Sequence, residues 1–249
     1  MRSVWRDLIR SRILLTGIAI AVLIGSAMVL YHLYDNEESL MLISTGSGEP
    51  QISSPAGSTA ASENFVTPND VLAARRAELE RDPNAPVLGN PDGDVTVVEF
   101  FDYNCPYCKK VANDMRRLIE EDSGIRLVYR ELPILNRGSL FATRAALAAR
   151  RQGKYEEMHW ALMAQPRVTE KSTLMASRAI GLDMPRLLND MNHPSVARHI
   201  ARSMDLARRL GINGTPAFVI GDKIKRGLIP LEELFEHTRE ARAAQASRQ

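Results

Sequence analysis

The chain of 249 residues is short of cysteine, carries almost no net charge and shows no internal repeat. Its only cysteines are Cys105 and Cys108. They supply half of a standard zinc ligand set, and the nearest histidine pair, His193 and His199, lies far along the chain, so a zinc site is disfavoured. A passive disulfide between them would close a very short loop and stabilise little, because the entropic gain grows with loop length. A net charge of +2, with Lys and Arg spread among Asp and Glu, argues against nucleic acid as a partner. The rest of the composition, 45% hydrophobic and 25% charged, is that of an ordinary globular protein able to bury one sizeable core or two modest ones.

The amino terminus departs from that average. Arg2, Arg6, Arg10 and Arg12 precede "ILLTGIAIAVLIGSAMVL", which is uncharged from Ile13 to Leu30. At about 1.5 Å rise per residue such a run nearly crosses the roughly 30 Å hydrocarbon layer. The sequence therefore predicts a basic cytoplasmic flank over 1–12 and a transmembrane signal-anchor over 13–31, with everything after it exported. A cleaved signal peptide is the alternative, against which stand the length of the run and the lack of a clear A-x-A-like site. Either reading carries the cysteines to an oxidising compartment. Residues 32–66, rich in Ser, Gly, Thr and Ala, read as a flexible tether.

Order is expected to begin at Thr67. "TPNDVLAARRAELERD" offers an N-cap threonine, proline at the first helical position and Asp70 three residues after the cap. This helix, within 67–84, has Val71, Leu72 and Leu79 on one side, to pack on its own domain or on a second protomer of a homo-oligomer. The remainder, 85–249, reads as one α/β domain. "VTVVEFF" is a strand, a helix starts at Pro106, "IRLVYRE" is a second strand, and a helical block covers about 138–192. A further helix, "PSVARHIARSMDLARRL", ends at Gly211. Two hairpin strands, "PAFVI" and "KIKRGL", precede a last helix from about Pro230.

The two thiols form a C-x-x-C pair where a strand runs into a helix, the arrangement of dithiol redox sites. Unpaired N–H groups and the positive helix end favour a thiolate at the first cysteine, Cys105. Cys108, one turn in, is the more buried candidate for the resolving thiol. Glu99 interrupts an apolar strand where a sheet covered on both faces holds little water. It is expected either to be a buried carboxylate of raised pKa that exchanges a proton with Cys108, or a strand-end glutamate facing solvent. Tyr103, Phe101 and Tyr107 are candidates for an apolar rim around the thiols, Phe101 being the best suited of them to the core. His159, His199 and His237 have no sequence neighbours that would make a catalytic set.

"VVEFFDYNCPYCKK" together with "GINGTPAFVIG" resembles the DsbA-like branch of the thioredoxin superfamily, in particular its exported and membrane-anchored members related to the copper-sensitivity-suppressor protein ScsC. The resemblance spans about Pro86 to the carboxyl end. It implies a thioredoxin fold with an inserted helical domain, a cis peptide before Pro216 that lies against the thiols, and a Thr215 backbone that pairs with substrate. Pro106 and Tyr107 then belong to the substrate-binding surface with Thr215 and Pro216. The implied activity is thiol:disulfide exchange with cysteine-containing exported proteins, without cofactor or metal, and with a membrane or periplasmic partner to recycle it. The location implied is the inner membrane, with the catalytic domain in the periplasm. Pro106-Tyr107 lacks the histidine of the strongest oxidants, C-P-H-C, and threonine before the cis-proline is typical of isomerases and reductases, so those directions are favoured over a dedicated oxidase. The alternatives are a copper-binding or client-holding envelope protein without turnover, and an envelope protein with a passive disulfide.

Overall fold

The computed structural model describes residues 67–248. The expected anchor over 13–31 and the tether over 32–66 lie outside the described residues. Among those described, no helix is long and apolar enough to cross a membrane.

Helix α1, Pro68–Glu80, opens with the capping box that its sequence announces. The Thr67 N–H donates to Asp70 Oδ2 at 2.9 Å and the Asp70 N–H to Thr67 Oγ1 at 3.3 Å, which satisfies two N–H groups the helix itself cannot. Strands β1 (Val87–Gly89), β2 (Val95–Phe101) and β3 (Ile125–Glu131) are separated by helix α2, Pro106–Glu121, between β2 and β3. Helices α3 (Arg137–Arg150), α4 (Tyr155–Met163), α5 (Glu170–Ala179) and α6 (Met184–Asp190) form the inserted block. Helix α7 (Pro194–Arg209), the hairpin of β4 (Ala217–Ile220) and β5 (Lys223–Arg226), and helix α8 (Leu231–Ala246) complete the chain.

The five strands make one sheet in the order β1-β3-β2-β4-β5. Only β2 and β3 run parallel, and the other pairs are antiparallel. This is a thioredoxin-like α/β fold. The short edge strand β1 adds to the sequence reading, since three residues are too few to show an alternating pattern.

Strand alternation sends the two sides of each strand into different cores. Val97, Phe101, Leu127, Tyr129 and Phe218 join α2, α8 and the helical block in one core. Val98, Phe100, Val128 and Val219 join α1 and the second half of α7 in the other. Leu72 and Leu79 are both buried in this second core, so α1 spends its apolar side on its own domain rather than on a second protomer.

A buried ion pair completes that docking. Arg130, fully buried, reaches from β3 to Asp82 Oδ2 at 3.0 Å and to the Leu79 carbonyl at 3.1 Å. It thereby caps carbonyls at the end of α1. Burial alone would push the Asp82 carboxyl up, but the Asn84 N–H, Arg130 and Arg202 together bring it down to about 2. Removing one partner of such a pair strands the other charge. Asp82→Ala is therefore expected to cost about 3 kcal/mol or more, read as a lower urea midpoint. Because the folded carboxyl is held at about 2 against 3.8 when free, the Asp82 contribution is complete above pH 3.8 and disappears as pH falls through 2. The variant should lose that part of the acid transition.

Candidate active site

The thiols sit where the β2 loop enters α2. Cys105 is the N-cap of the helix, extended at φ −73 and ψ 119, with Pro106 in the first helical turn. The Cys108 N–H donates to Cys105 Sγ at 3.4 Å, so a sulfur occupies the place where a hydroxyl or carboxylate usually caps a helix. Both thiols are free and buried, Cys105 at 4% and Cys108 at 0% exposure. The Thr215–Pro216 peptide is cis. In the thiol form Cys105 Sγ donates to the Thr215 carbonyl oxygen at 3.2 Å.

These contacts separate the two sulfurs. Cys105 is brought down from 9.0 to about 5, first by donation from the Cys108 thiol, against opposing burial, with help from the Thr215 hydroxyl and the Cys108 and Tyr107 N–H groups. The Thr215 carbonyl can stabilise only the thiol, so it is the hydroxyl that favours the anion. Cys108 is pushed far up, first by burial, then by its bond to Cys105 and by the nearby Glu99 charge.

Glu99 is 2% exposed, in the middle of β2. Its neighbours across the strands are Tyr129 and Phe218, and its Oε1 has no hydrogen-bond partner among the described residues. Burial, and secondarily the Cys105 charge, raise it from 4.5 to about 8. Tyr107 is 53% exposed and its ring lies under Lys110 Nζ at 5.4 Å. Tyr103 is not at the rim. It is fully buried, edge-on to Phe101 with ring centroids 5.0 Å apart, its hydroxyl 3.2 Å from His159 Nδ1. Exposed apolar surface beside the thiols comes instead from Tyr107, Leu135 and Leu228. Leu135 is tied to the loop by its N–H to Asp102 Oδ2 at 3.1 Å, and Leu228 follows Gly227, whose N–H donates to the Pro216 carbonyl.

Three neighbours were missed by sequence reasoning. Asn104 pairs with the backbone of Val168, accepting its N–H at 2.7 Å and donating to its carbonyl at 3.0 Å. Asp102 Oδ1 accepts the Asn104 N–H at 2.7 Å, so loop and helical block are stapled together beside Cys105. Lys109 is lowered by burial next to the thiols. Among the described residues no group of three or more His, Cys, Asp or Glu side chains is arranged to hold a metal.

With this geometry in place, relatives are informative. Residues 96–238 match the family described as "DSBA-like thioredoxin domain". A thioredoxin-like oxidoreductase from Silicibacter pomeroyi DSS-3 is 54% identical over 68% of this chain and 98% of its own, with a TM-score of 0.66. The catalytic domain of Proteus mirabilis ScsC is 27% identical over 70% of this chain and 98% of its own, with a TM-score of 0.65. A curated relative, the Na(+)/H(+) antiporter NhaA 3 of Salinispora tropica, is 32% identical over 59% of this chain, and that match spans only 23% of the antiporter.

The two acids make a paired expectation. Iodoacetamide should alkylate Cys105 with a midpoint near pH 5, far below the 9.0 of a free thiol, and should spare Cys108. Glu99, held at about 8 rather than 4.5, binds its proton more tightly folded than unfolded. Its contribution is complete below pH 4.5 and is lost as pH rises through 8. The reduced Glu99→Gln variant, followed by urea unfolding, should gain stability over the reduced wild type across that window.

Proposed function

The chain belongs to the DSBA-like thioredoxin domain family, and from that premise we propose that it is a membrane-tethered, periplasmic thiol:disulfide oxidoreductase working on exported proteins, with isomerase or reductase exchange favoured over dedicated oxidation. The observation that carries the reading is the inequality of the two sulfurs: one is held as an anion at the mouth of the site, the other as a buried thiol behind it.

In the reductive direction the Cys105 thiolate attacks one sulfur of a substrate disulfide. The other substrate sulfur leaves as a thiolate, and Cys105 is joined to substrate in a mixed disulfide. The negative charge at Cys105 is then gone, and with it one of the two causes that keep Glu99 protonated. Glu99 then gives up its own proton more readily, to the departing substrate thiolate or to water, and as a carboxylate can take the proton that Cys108 must lose. The Cys108 thiolate attacks Cys105 Sγ, the substrate leaves reduced, and the enzyme holds the disulfide that a recycling partner reduces. In the oxidising direction the same steps run backwards. Apolar surface at Tyr107, Leu135 and Leu228 suits an unfolded client segment, which the Thr215 backbone would hold extended.

Direction follows from how strongly the thiolate is favoured. A thiol near 5 lies between about 7 for thioredoxin and about 3.5 for DsbA, and a lower value makes the disulfide more oxidising. A disulfide less oxidising than that of DsbA suits reshuffling better than dedicated oxidation. The α1 side chains that could have paired protomers are committed to their own core, so this reading stands on thiol chemistry alone.

Reduction of insulin and refolding of scrambled ribonuclease by the full chain test it. Wild type should turn over in both. Cys105→Ser should be inactive, and Cys108→Ser should accumulate a substrate-linked species that dithiothreitol releases. A chain that binds copper(I) tightly through the two thiols yet turns over neither substrate would replace this reading with the metal-binding one.

A further inference from the structure

On the side of the domain where α3 ends and α7 begins, a cavity of about 330 Å³ is lined by Arg150, Arg151, His193, Ser195, Arg198 and His199 together with Asn84, Leu147 and Val196. Every ionisable side chain in that lining is basic. Arg151 shares Asp190 with Arg186, at 3.2 and 3.6 Å, and Arg150 donates to the carbonyls of Pro83 and Asn84. Arg198 makes no ion pair among the described residues. Ser195 lies in the first turn of α7, its N–H capped by His193 Nδ1 at 3.2 Å.

His199 supplies an independent sign. It is 2% exposed and its Nε2 lies 2.6 Å from Glu131 Oε2, inside the core. Its other ring nitrogen, Nδ1, is buried without a partner, although the ring lines the cavity. A buried ring nitrogen left unpaired is destabilising, and a ligand that bonds it relieves that.

We propose that this cavity binds a small tetrahedral oxyanion of the phosphate or sulfate class, held by Arg198, Arg150 and the Nδ1–H of His199. Charge-assisted bonds from guanidinium groups to oxyanion oxygens supply the attraction. Donation from Nδ1 requires the Glu131–His199 pair to hold two protons, because with one proton on Nε2 the Nδ1 lone pair faces the anion. The groups around that pair are the Tyr155 hydroxyl from α4, on Glu131 Oε1 at 2.6 Å, the Ser203 hydroxyl of α7 at 3.5 Å from Nε2, and the arginines of α3. Arg202, the next basic residue of α7, turns away to Asp82 and Glu78. No carboxylate faces Nδ1 from the cavity lining.

Calorimetric titration of the full chain with sodium sulfate tests this, sulfate being used because its own charge does not change near neutrality. Saturable binding is expected. Arg198→Ala, an exposed change that leaves the core alone, should weaken it by about tenfold or more. His199→Gln can still donate to Glu131 but has nothing at the Nδ1 position, and should weaken it similarly. Titrations with inorganic phosphate and with glycerol phosphate separate the sources: tighter binding of the second assigns the site to a lipid-type headgroup, tighter binding of the first to the free ion. Absence of saturable binding by any of the three, or binding that both variants leave unchanged, would overturn the proposal. Disulfide exchange at Cys105 enters none of these readouts.

Discussion

The site depends on a sulfur serving as a helix N-cap. An α-helix begins with N–H groups that nothing in the helix can accept, and its first turn needs an acceptor from outside. In α2 that acceptor is Cys105 Sγ. A thiolate accepts such donors better than a thiol does, so the need to terminate the helix and the need to stabilise an anion are met by the same atoms. Pro106 fits the arrangement because the first helical position has no use for an N–H. The cis Thr215–Pro216 peptide and the Cys108 thiol approach that sulfur from the other sides, and neither could do so if Cys105 lay within the helix.

Cys108 and Glu99 follow from that placement. A thiol one turn into α2 points at the sheet, so it is buried by the geometry of the helix rather than by a separate device. The sheet face it meets is built from every second residue of β2, and Glu99 is one of them. With no cation paired to it, Glu99 is kept neutral by its surroundings. A carboxyl of that kind responds to the loss of a nearby charge more strongly than a solvated one would. The chemistry therefore needs few specialised residues beyond two thiols, one acid and the loop holding Thr215.

Much of this was legible in the sequence because the signals are local. The capping box at Thr67, the C-x-x-C pair at a strand-to-helix junction and the helix stop at Gly211 each lie within a few residues of the element they define. The acid in β2 could be noticed as an oddity, although its burial depends on α2 and on the helical block. What escaped were features made by distant segments. Asn104 looks like any turn residue until Val168 arrives from the helical block to pair with it. Tyr103 seemed suited to an apolar rim, but His159 and Phe101 enclose it. His199 has no charged partner nearby in sequence, and Glu131 reaches it from a strand 68 residues away. The direction in which α1 packs was open for the same reason, since its docking on β3 is made by Arg130.

Arg130 and Glu99, buried on opposite faces of the sheet, are handled differently, and the difference maps onto function. On the α1 side, Arg130 is surrounded by a carboxylate and by carbonyls at a helix end, so that its charge is fully engaged. On the thiol side, Glu99 is left without a counter-ion and with one oxygen unbonded. Pairing Glu99 as Arg130 is paired would make the domain more stable, but would also fix the carboxylate in one protonation state and remove its use to Cys108. Strand alternation lets both solutions coexist in one small sheet. Neighbouring residues of β2 and β3 face opposite ways, so a chain that needs one rigid face and one responsive face can write both into the same two strands.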